Sequence, residues 1–306
     1  MDKRLFFGVT QQAVDRLTFT MGEYSAALIA LEYLRLQTKQ IMKRRACVSN
    51  SELRNELAAG LSVHWQDFKG LACATQWEQH EVFFSWALLE ASISTFEGWV
   101  SDVGRIMGLS NGEKTNLQVP EHFQRVVSRL QRECHSASMR RAFYDVYGHS
   151  CKCCYPAMAS MLHCFRVFKE MRNAFVHEAG RASERLVRRI VEYQRICTRS
   201  SLHVNEVPVV NPCAIGDVVV PVYRGIIGFT DVLIRILVSY DSELLCTTYG
   251  EAEFLQRYER EKYPAWLPGL NKQKAGVVIG KGVKRAGFRQ PNDMDVLRKF
   301  IIDKLP

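Results

Sequence analysis

Residues 171–178 read MRNAFVHE and place an arginine, an asparagine and a histidine within six positions of one another. Asn173 and His177 are four residues apart, so on a helix their side chains lie on one face. Arg172 is about 140° around the axis from His177, an angle that the long arginine side chain partly spans. A histidine transfers protons near neutral pH, and a guanidinium binds phosphate oxygens through planar donors. These three residue types together suit phosphodiester chemistry.

Cleavage of RNA would need little beyond these groups, because the substrate's own 2′-hydroxyl is the nucleophile and neither a metal nor an enzyme nucleophile is required. Histidine can take or deliver the proton while arginine stabilises the charge that builds on the phosphate. The products would carry a 2′,3′-cyclic phosphate and a 5′-hydroxyl. Two copies facing each other across a dimer axis would combine two arginines and two histidines in one cleft. The alternative is a plain helix end, where His177 reaches water and suits the negative end of the helix dipole.

Hydrophobic periodicity predicts an all-α protein around these residues. Ala179-Gly180 marks the end of the helix that carries the motif. Apolar residues at three- and four-residue steps indicate one buried face of an earlier helix, namely Phe83, Trp86, Leu89, Ile93, Phe96 and Val100. The predicted helices are Met21–Ala46, Glu81–Asp102, Glu121–Glu133, Ala157–Val176, Arg181–Arg199, Arg224–Ser239 and Asp293–Lys304. Between them we expect a helix or turn opened by Ser49, a loop over Gly104–Pro120, a break over His149–Pro156 and an extended loop or short hairpin over 202–223.

An apolar helix that ends in Arg, a polar residue, three further residues and His resembles the signature of the HEPN superfamily (higher eukaryote and prokaryote nucleotide-binding). RNAFVH at 172–177 carries the favoured polar residue, and FFSWALLEASISTFEGWV at 83–100 is similar to the family's earlier helix, which commonly bears an acidic residue such as Glu90. The resemblance covers roughly residues 79–245. It implies a dimeric, metal-independent ribonuclease of toxin–antitoxin or phage-defence systems, without a cofactor.

By this resemblance the catalytic residues are Arg172, Asn173 and His177. Arg172 would stabilise the phosphate in the transition state, His177 would act in proton transfer and Asn173 would position both. Glu90 is expected to form an ion pair with Arg172, which would hold two helices in register and orient the guanidinium. The partners implied are RNA, single-stranded or tRNA-like, a second copy of the chain, and a protein that inhibits or activates the enzyme.

The overall charge agrees with a polyanionic partner. Forty-one basic residues against thirty-two acidic ones give a net charge of +9, which attracts phosphates over several ångströms. The amino terminus does not resemble a secretory signal, and the most apolar stretch carries too many polar residues to span a membrane, so we expect a cytoplasmic protein without membrane contact. The ten cysteines are then expected to be buried thiols, not disulfides.

Three other features compete for a role. Cysteine and histidine residues cluster between 134 and 164, and a structural zinc site there is one alternative, with unligated thiols as the other. The basic segment 272–289 could grip an RNA backbone as an extended strand, with Phe288 and Trp266 as stacking surfaces, or pack as a solvated hairpin. The arginine-rich helix over Arg181–Arg199 flanks the motif and is a candidate for substrate contact, or simply a solvated face.

The sequence therefore predicts a helical region over 1–78, a HEPN-like helical domain over 79–248 and a basic Gly/Lys-rich extension over 249–306. The expected activity is endoribonuclease cleavage by 2′-hydroxyl attack. The alternative is a non-catalytic HEPN-like module that binds RNA or nucleotide, or serves as a scaffold, through dimerisation.

Overall fold

The computed structural model describes residues 4–60, 67–72, 74–260 and 271–305. These residues confirm the all-α prediction, since they form α-helices, one 3-10 turn at Tyr155–Ala157 and two isolated bridges, and contain no strand. The helices are α1 Gly8–Arg44, α2 Asn50–Leu57, α3 Phe68–Ala72, α4 Ala74–Ile106, α5 Asn111–Asn116, α6 Phe123–Glu133, α7 Ala137–Gly148, α8 Met158–His177, α9 Glu184–Ile196, α10 Arg199–Leu202, α11 Tyr223–Leu244, α12 Thr248–Arg260, α13 Lys272–Arg285 and α14 Met294–Lys304.

Four long helices, α1, α4, α8 and α11, form the centre of the molecule. Helices α1 and α4 run antiparallel, because Trp99 Nε1 donates to Thr10 Oγ1 at 3.0 Å near one end while Tyr24 and Phe84 meet edge to face further along. Helix α11 packs against α1, α4 and α8 and is buried over most of its length. Its buried side chains pack with apolar side chains of the other three helices in the main hydrophobic core. A smaller cluster of Ile41, Val48, Leu53 and Phe68 lies apart from it.

The motif helix agrees closely with its predicted bounds, whereas the two core helices beside it are longer than predicted. Helix α4 begins seven residues earlier and ends four residues later, and α11 begins one residue earlier and ends five residues later. Helix α8 begins and ends one residue later than predicted, and a stripe that includes Met161, Leu162, Phe165 and Phe168 is buried along it. A helix after Ser49 is confirmed by a reciprocal capping box, in which Ser49 Oγ accepts from Glu52 N and the Glu52 carboxylate accepts from Ser49 N. Helix α9 begins at Glu184 instead of Arg181, because Ser183 caps it.

Two segments predicted to be irregular are helical. The expected loop over Gly104–Pro120 contains α5, which Ser110 and Glu113 initiate through a second capping box. The strand or hairpin expected over 272–289 is helix α13, capped by Asn271. A stripe at four-residue spacing, Ala275, Ile279 and Val283, is fully buried, and this burial outweighs the low helix propensity of the glycines.

Further corrections concern single aromatic residues. Phe83, expected on the buried face of its helix, exposes 64% of its surface because it lies one turn beyond the contact between α4 and the end of α8. Phe288, proposed as a stacking surface for RNA, is fully buried between the rings of Phe6 and Phe254. Trp266 lies outside the described residues. The segment 202–223 contains no strand, and its Val218 forms only an isolated bridge with Arg181.

The predicted division at 78/79 and 248/249 stays a prediction. Helix α4 continues through position 78, and the first described residues pack into the same core as α12 and α13. None of the described helices is long and apolar enough to cross a membrane.

A buried carboxylate holds the start of α1 in place through hydrogen bonds. Asp241 on α11 is almost completely buried, and its two oxygens accept the backbone N–H groups of Phe6 and Phe7 at 2.7 and 3.0 Å. Phe7 is the N-cap residue of α1, whose N–H has no intrahelical partner, and Phe6 immediately precedes it. Burial raises the pKa of Asp241 to about 6, against the lowering effect of the two N–H groups.

The raised pKa predicts how Asp241 couples stability to pH. Because the folded state holds this proton more tightly than the unfolded state, whose pKa is about 3.9, the contribution of Asp241 is largest below pH 4 and is lost as the pH rises through 6. Its full size is about 3 kcal/mol. Urea unfolding of the wild type and Asp241→Asn from pH 4 to 7 should show the wild type losing free energy of unfolding relative to the variant. Parallel pH profiles would contradict this coupling.

Candidate active site

Arg172 is held in a fixed orientation by Glu90. The guanidinium donates from Nε to Glu90 Oε2 at 2.8 Å and from Nη2 to Glu90 Oε1 at 3.0 Å, which is a bidentate ion pair between α8 and α4. Ser94 Oγ, one turn along α4, also donates to Glu90 Oε1 at 3.2 Å. The expected ion pair is therefore present. Glu90 takes two of the five guanidinium N–H groups, and no described residue bonds the other three, which leaves them for a ligand.

The two partners stabilise each other's charged form. The hydrogen bond from Arg172 lowers the pKa of the Glu90 carboxyl, opposed by partial burial and assisted by the charge of Arg172 and by Ser94. The same hydrogen bond raises the pKa of Arg172. Glu90 is consequently ionised at neutral pH and orients the arginine; it is unsuited to donate a proton there.

Two further contacts align α4 and α8 antiparallel on either side of this pair. Lys169 Nζ lies 2.8 Å from Glu97 Oε1, and the rings of Trp86 and Phe175 stack with centroids 4.3 Å apart. Along α4 the contacts run backwards from 97 to 90 to 86, while along α8 they run forwards from 169 to 172 to 175. These three contacts hold α4 and α8 in one register and so fix the position of Arg172 relative to α4.

His177 is the last residue of α8 and is exposed, and its side chain makes no hydrogen bond or ion pair with any described residue. Asn173, one turn earlier on the same face, is partly exposed and likewise makes no side-chain hydrogen bond within the described ranges. Both side chains are thus available to a ligand. The structure places Arg172, Asn173 and His177 on the last turns of one helix, and it holds only the arginine through a side-chain partner.

The backbone beyond His177 is held by part of the loop predicted over 202–223, although a contact between that loop and the motif was not predicted. Ala179 and Gly180 both have positive φ angles, 52° and 75°, and Gly180 N donates to Ala174 O at 3.0 Å, which ends the helix abruptly. Val219 N then donates to Gly180 O, and Ala182 N to Asp217 O, each at 2.8 Å. Segment 214–219 therefore supports the turn that carries His177.

Exposed apolar side chains lie around the candidate site. Phe175 and Val176 expose nearly half of their surfaces on the last turn of α8, next to Asn173 and His177. Phe83, on α4, and Val218, in the supporting loop, are also exposed. We call these four residues the apolar rim. A single chain therefore presents one set of polar residues beside the apolar rim, an arrangement that suits contact with a second macromolecular surface.

The arginine-rich face of α9 is partly neutralised. Arg185 pairs with the buried carboxylate of Glu170 at 2.9 Å, and Arg189 pairs with Glu192 at 2.6 Å. Arg195 is exposed and forms no ion pair with a described residue. The helix thus offers fewer free cations beside the motif than its composition indicates.

The cysteine cluster shows thiols and no metal-binding arrangement. The whole of 134–164 is described, and neither there nor in the other described ranges do three or more His, Cys, Asp or Glu side chains converge as metal ligands. The described cysteines are all free thiols, but the expectation that they are buried is wrong for most of them: Cys164, Cys197 and Cys246 are buried, whereas Cys47 and Cys151 are exposed. Burial raises the pKa of the Cys164 thiol well above the ordinary value. The zinc alternative gains no support from these positions.

Comparison of the chain with protein-family models, with curated proteins and with solved structures finds no match. The resemblance to HEPN domains therefore stays a prediction from the motif residues.

Proposed function

We propose that the protein is a HEPN-like, metal-independent endoribonuclease whose active site lies at the carboxyl end of α8. The observation that carries this proposal is the Glu90–Arg172 pair, which presents a preoriented guanidinium one helical turn and a half from an unengaged histidine. A preorganised cation is valuable for phosphoryl chemistry because it stabilises charge without reorganising during the reaction.

The reaction follows from the groups available. A bond forms between the substrate 2′-oxygen and the phosphorus, and the bond from phosphorus to the 5′-oxygen breaks. The 2′-hydroxyl loses a proton to a base, and the departing 5′-oxygen receives one from an acid. Arg172 donates hydrogen bonds to the phosphate oxygens as their charge increases, and Asn173 orients the phosphate. One His177 takes the proton and a second, from another copy of the chain, supplies the other.

The apolar rim around the site supports this need for two copies. Phe175 and Val176 flank the polar residues on α8, and burying them in a homodimer would bring the two motifs face to face. The proposed setting is the cytoplasm, as an effector of toxin or phage-defence systems. An enzyme of this kind requires control, and we infer a partner protein that inhibits or activates it.

The test is incubation of the purified full-length chain with total RNA in excess EDTA. We expect metal-independent cleavage that increases with protein concentration. A His149→Ala variant is a matched control, because His149 is also an exposed histidine at a helix end but caps the carboxyl end of α7, where its side chain bonds to Asp145 O. Its cleavage rate should equal that of the wild type.

The second candidate function is a non-catalytic module that binds RNA or acts as a scaffold through dimerisation. The exposed apolar residues around the site favour this module as much as the enzyme, because an apolar surface supports association whether or not the protein cleaves RNA. Binding measurements on uncleaved RNA distinguish the two: a dimer that retains RNA intact over hours in EDTA would favour the module over the enzyme.

A further inference from the structure

The solvent side of α1 carries a second apolar surface, distinct from the side that packs in the bundle. Its four large side chains expose 68, 69, 65 and 47% of their surfaces, in chain order. Two small exposed residues lie between them. The members of this set, which we call the α1 stripe, are Phe19, Gly22, Ala26, Ile29, Tyr33 and Leu36.

The spacing of the α1 stripe is that of a helix–helix seam. Successive members are three, four, three, four and three residues apart, which is the seven-residue repeat of two helices that pack along their lengths. The other side of α1 already packs in the bundle through Thr10, Ala13 and Leu17. Helix α1 is therefore apolar on two sides, and the described residues cover only one of them.

We propose that the α1 stripe is a homodimer interface, occupied by α1 of a second copy in antiparallel orientation. A twofold axis between Ala26 and Ile29 places the ring of Tyr33 over Gly22 of the other copy. The same axis places Ile29 beside Ala26. Phe19 of each copy then lies beside Leu36 of the other copy, at the two ends of the interface. Each contact occurs twice, as an isologous interface requires, and large side chains meet small ones at the centre.

Charge favours the antiparallel orientation over the parallel one. The carboxyl end of α1 carries Lys39, Lys43 and Arg44, all exposed. A parallel pair would bring both basic ends together, whereas an antiparallel pair separates them by roughly 40 Å at 1.5 Å per residue.

The area is sufficient for a specific contact. Each large side chain leaves on the order of 100 Å² exposed, so the stripe and its neighbours bury about 500 Å² per copy. The two copies together reach roughly 1,000 Å², the size at which a biological interface is distinguished from an incidental one.

The α1 stripe shares no residue with the candidate active site. The buried side of α1 faces α4 and α11, while Arg172 and His177 lie on α8, which packs against α4, α9 and α11. Pairing through the α1 stripe does not depend on RNA cleavage, and a chain that also pairs through the surface around His177 contacts a different copy there, so either proposal can fail without the other.

The test is photo-crosslinking of the full chain with p-benzoylphenylalanine in place of Phe19. Light and ¹⁵N-labelled copies are mixed so that mass spectrometry recognises links between chains. We expect links from position 19 to residues 34–38 of the other copy. Adding Ile29→Glu and Tyr33→Glu should reduce their yield at least about tenfold, since two charges then enter the seam. Circular dichroism verifies that the variant is folded.

Val191→Glu on α9 is the matched control, because Val191 is 61% exposed and lies outside the stripe. It should leave the yield unchanged. Three results would overturn the proposal: no link between chains from position 19, links to the region around position 19 of the other copy, or a yield that the two glutamates do not lower.

Discussion

Replacing His177 with alanine should abolish RNA cleavage. Removing a group that transfers a proton in the transition state typically costs about 10²- to 10⁴-fold in rate. If both copies of His177 act, as acid and as base, the loss lies at the upper end of that range. The fold should be unaffected, because the side chain is exposed and makes no hydrogen bond or ion pair with the described residues. Initial rates on a defined RNA, with circular dichroism of each variant, check both expectations.

The His149→Ala control separates this loss from a general effect of removing an exposed histidine. Wild-type activity in His177→Ala would contradict the mechanism. Equal losses in both variants would show that the effect does not belong to the motif.

Replacing Arg172 with alanine should also reduce cleavage strongly, by about 10²- to 10³-fold, which is the usual cost of removing one preorganised donor to a developing negative charge. Arg172→Lys should recover only part of the rate, because an ammonium cannot bond Glu90 through two parallel N–H groups and reach a phosphate as well. The substrate should still bind, so the loss is expected in kcat more than in KM.

Glu90→Gln provides the companion variant. It keeps the shape of the side chain and removes the charge that orients Arg172. An orienting role predicts a smaller loss of rate than Arg172→Ala causes. A rate for Glu90→Gln below that of Arg172→Ala would instead give the carboxylate a direct part in the chemistry.

Much of this site could be predicted from the sequence, because its determinants are local. The end of α8 was predicted within one residue, since a strongly apolar repeat leads directly into Ala179-Gly180. The pairing of Glu90 with Arg172 was expected from two charges on facing helices. Glu97 and Lys169 continue the same pattern, two turns and one turn away respectively, and could have been found by extending it.

The remainder depends on contacts between distant segments. The loop 214–219 supports the turn after His177 through backbone hydrogen bonds, which leave no trace in side-chain types. Helix α13 was missed because its glycines resemble a loop, while burial of Ile279 and Val283 determines its conformation. The exposure of Phe83 depends on where α8 ends in space. The α1 stripe could not be predicted from the sequence, because apolar residues on two sides of a helix weaken its amphipathic pattern.

Cleavage of an RNA with one 2′-deoxynucleotide at its mapped cleavage site, in excess EDTA, tests the central claim most directly. The account predicts that the all-ribose RNA is cut to a 2′,3′-cyclic phosphate and a 5′-hydroxyl, and that the deoxy-substituted RNA survives at that position, because the attacking hydroxyl is gone. Cleavage at the deoxy position, or products that end in a 3′-hydroxyl, would contradict it.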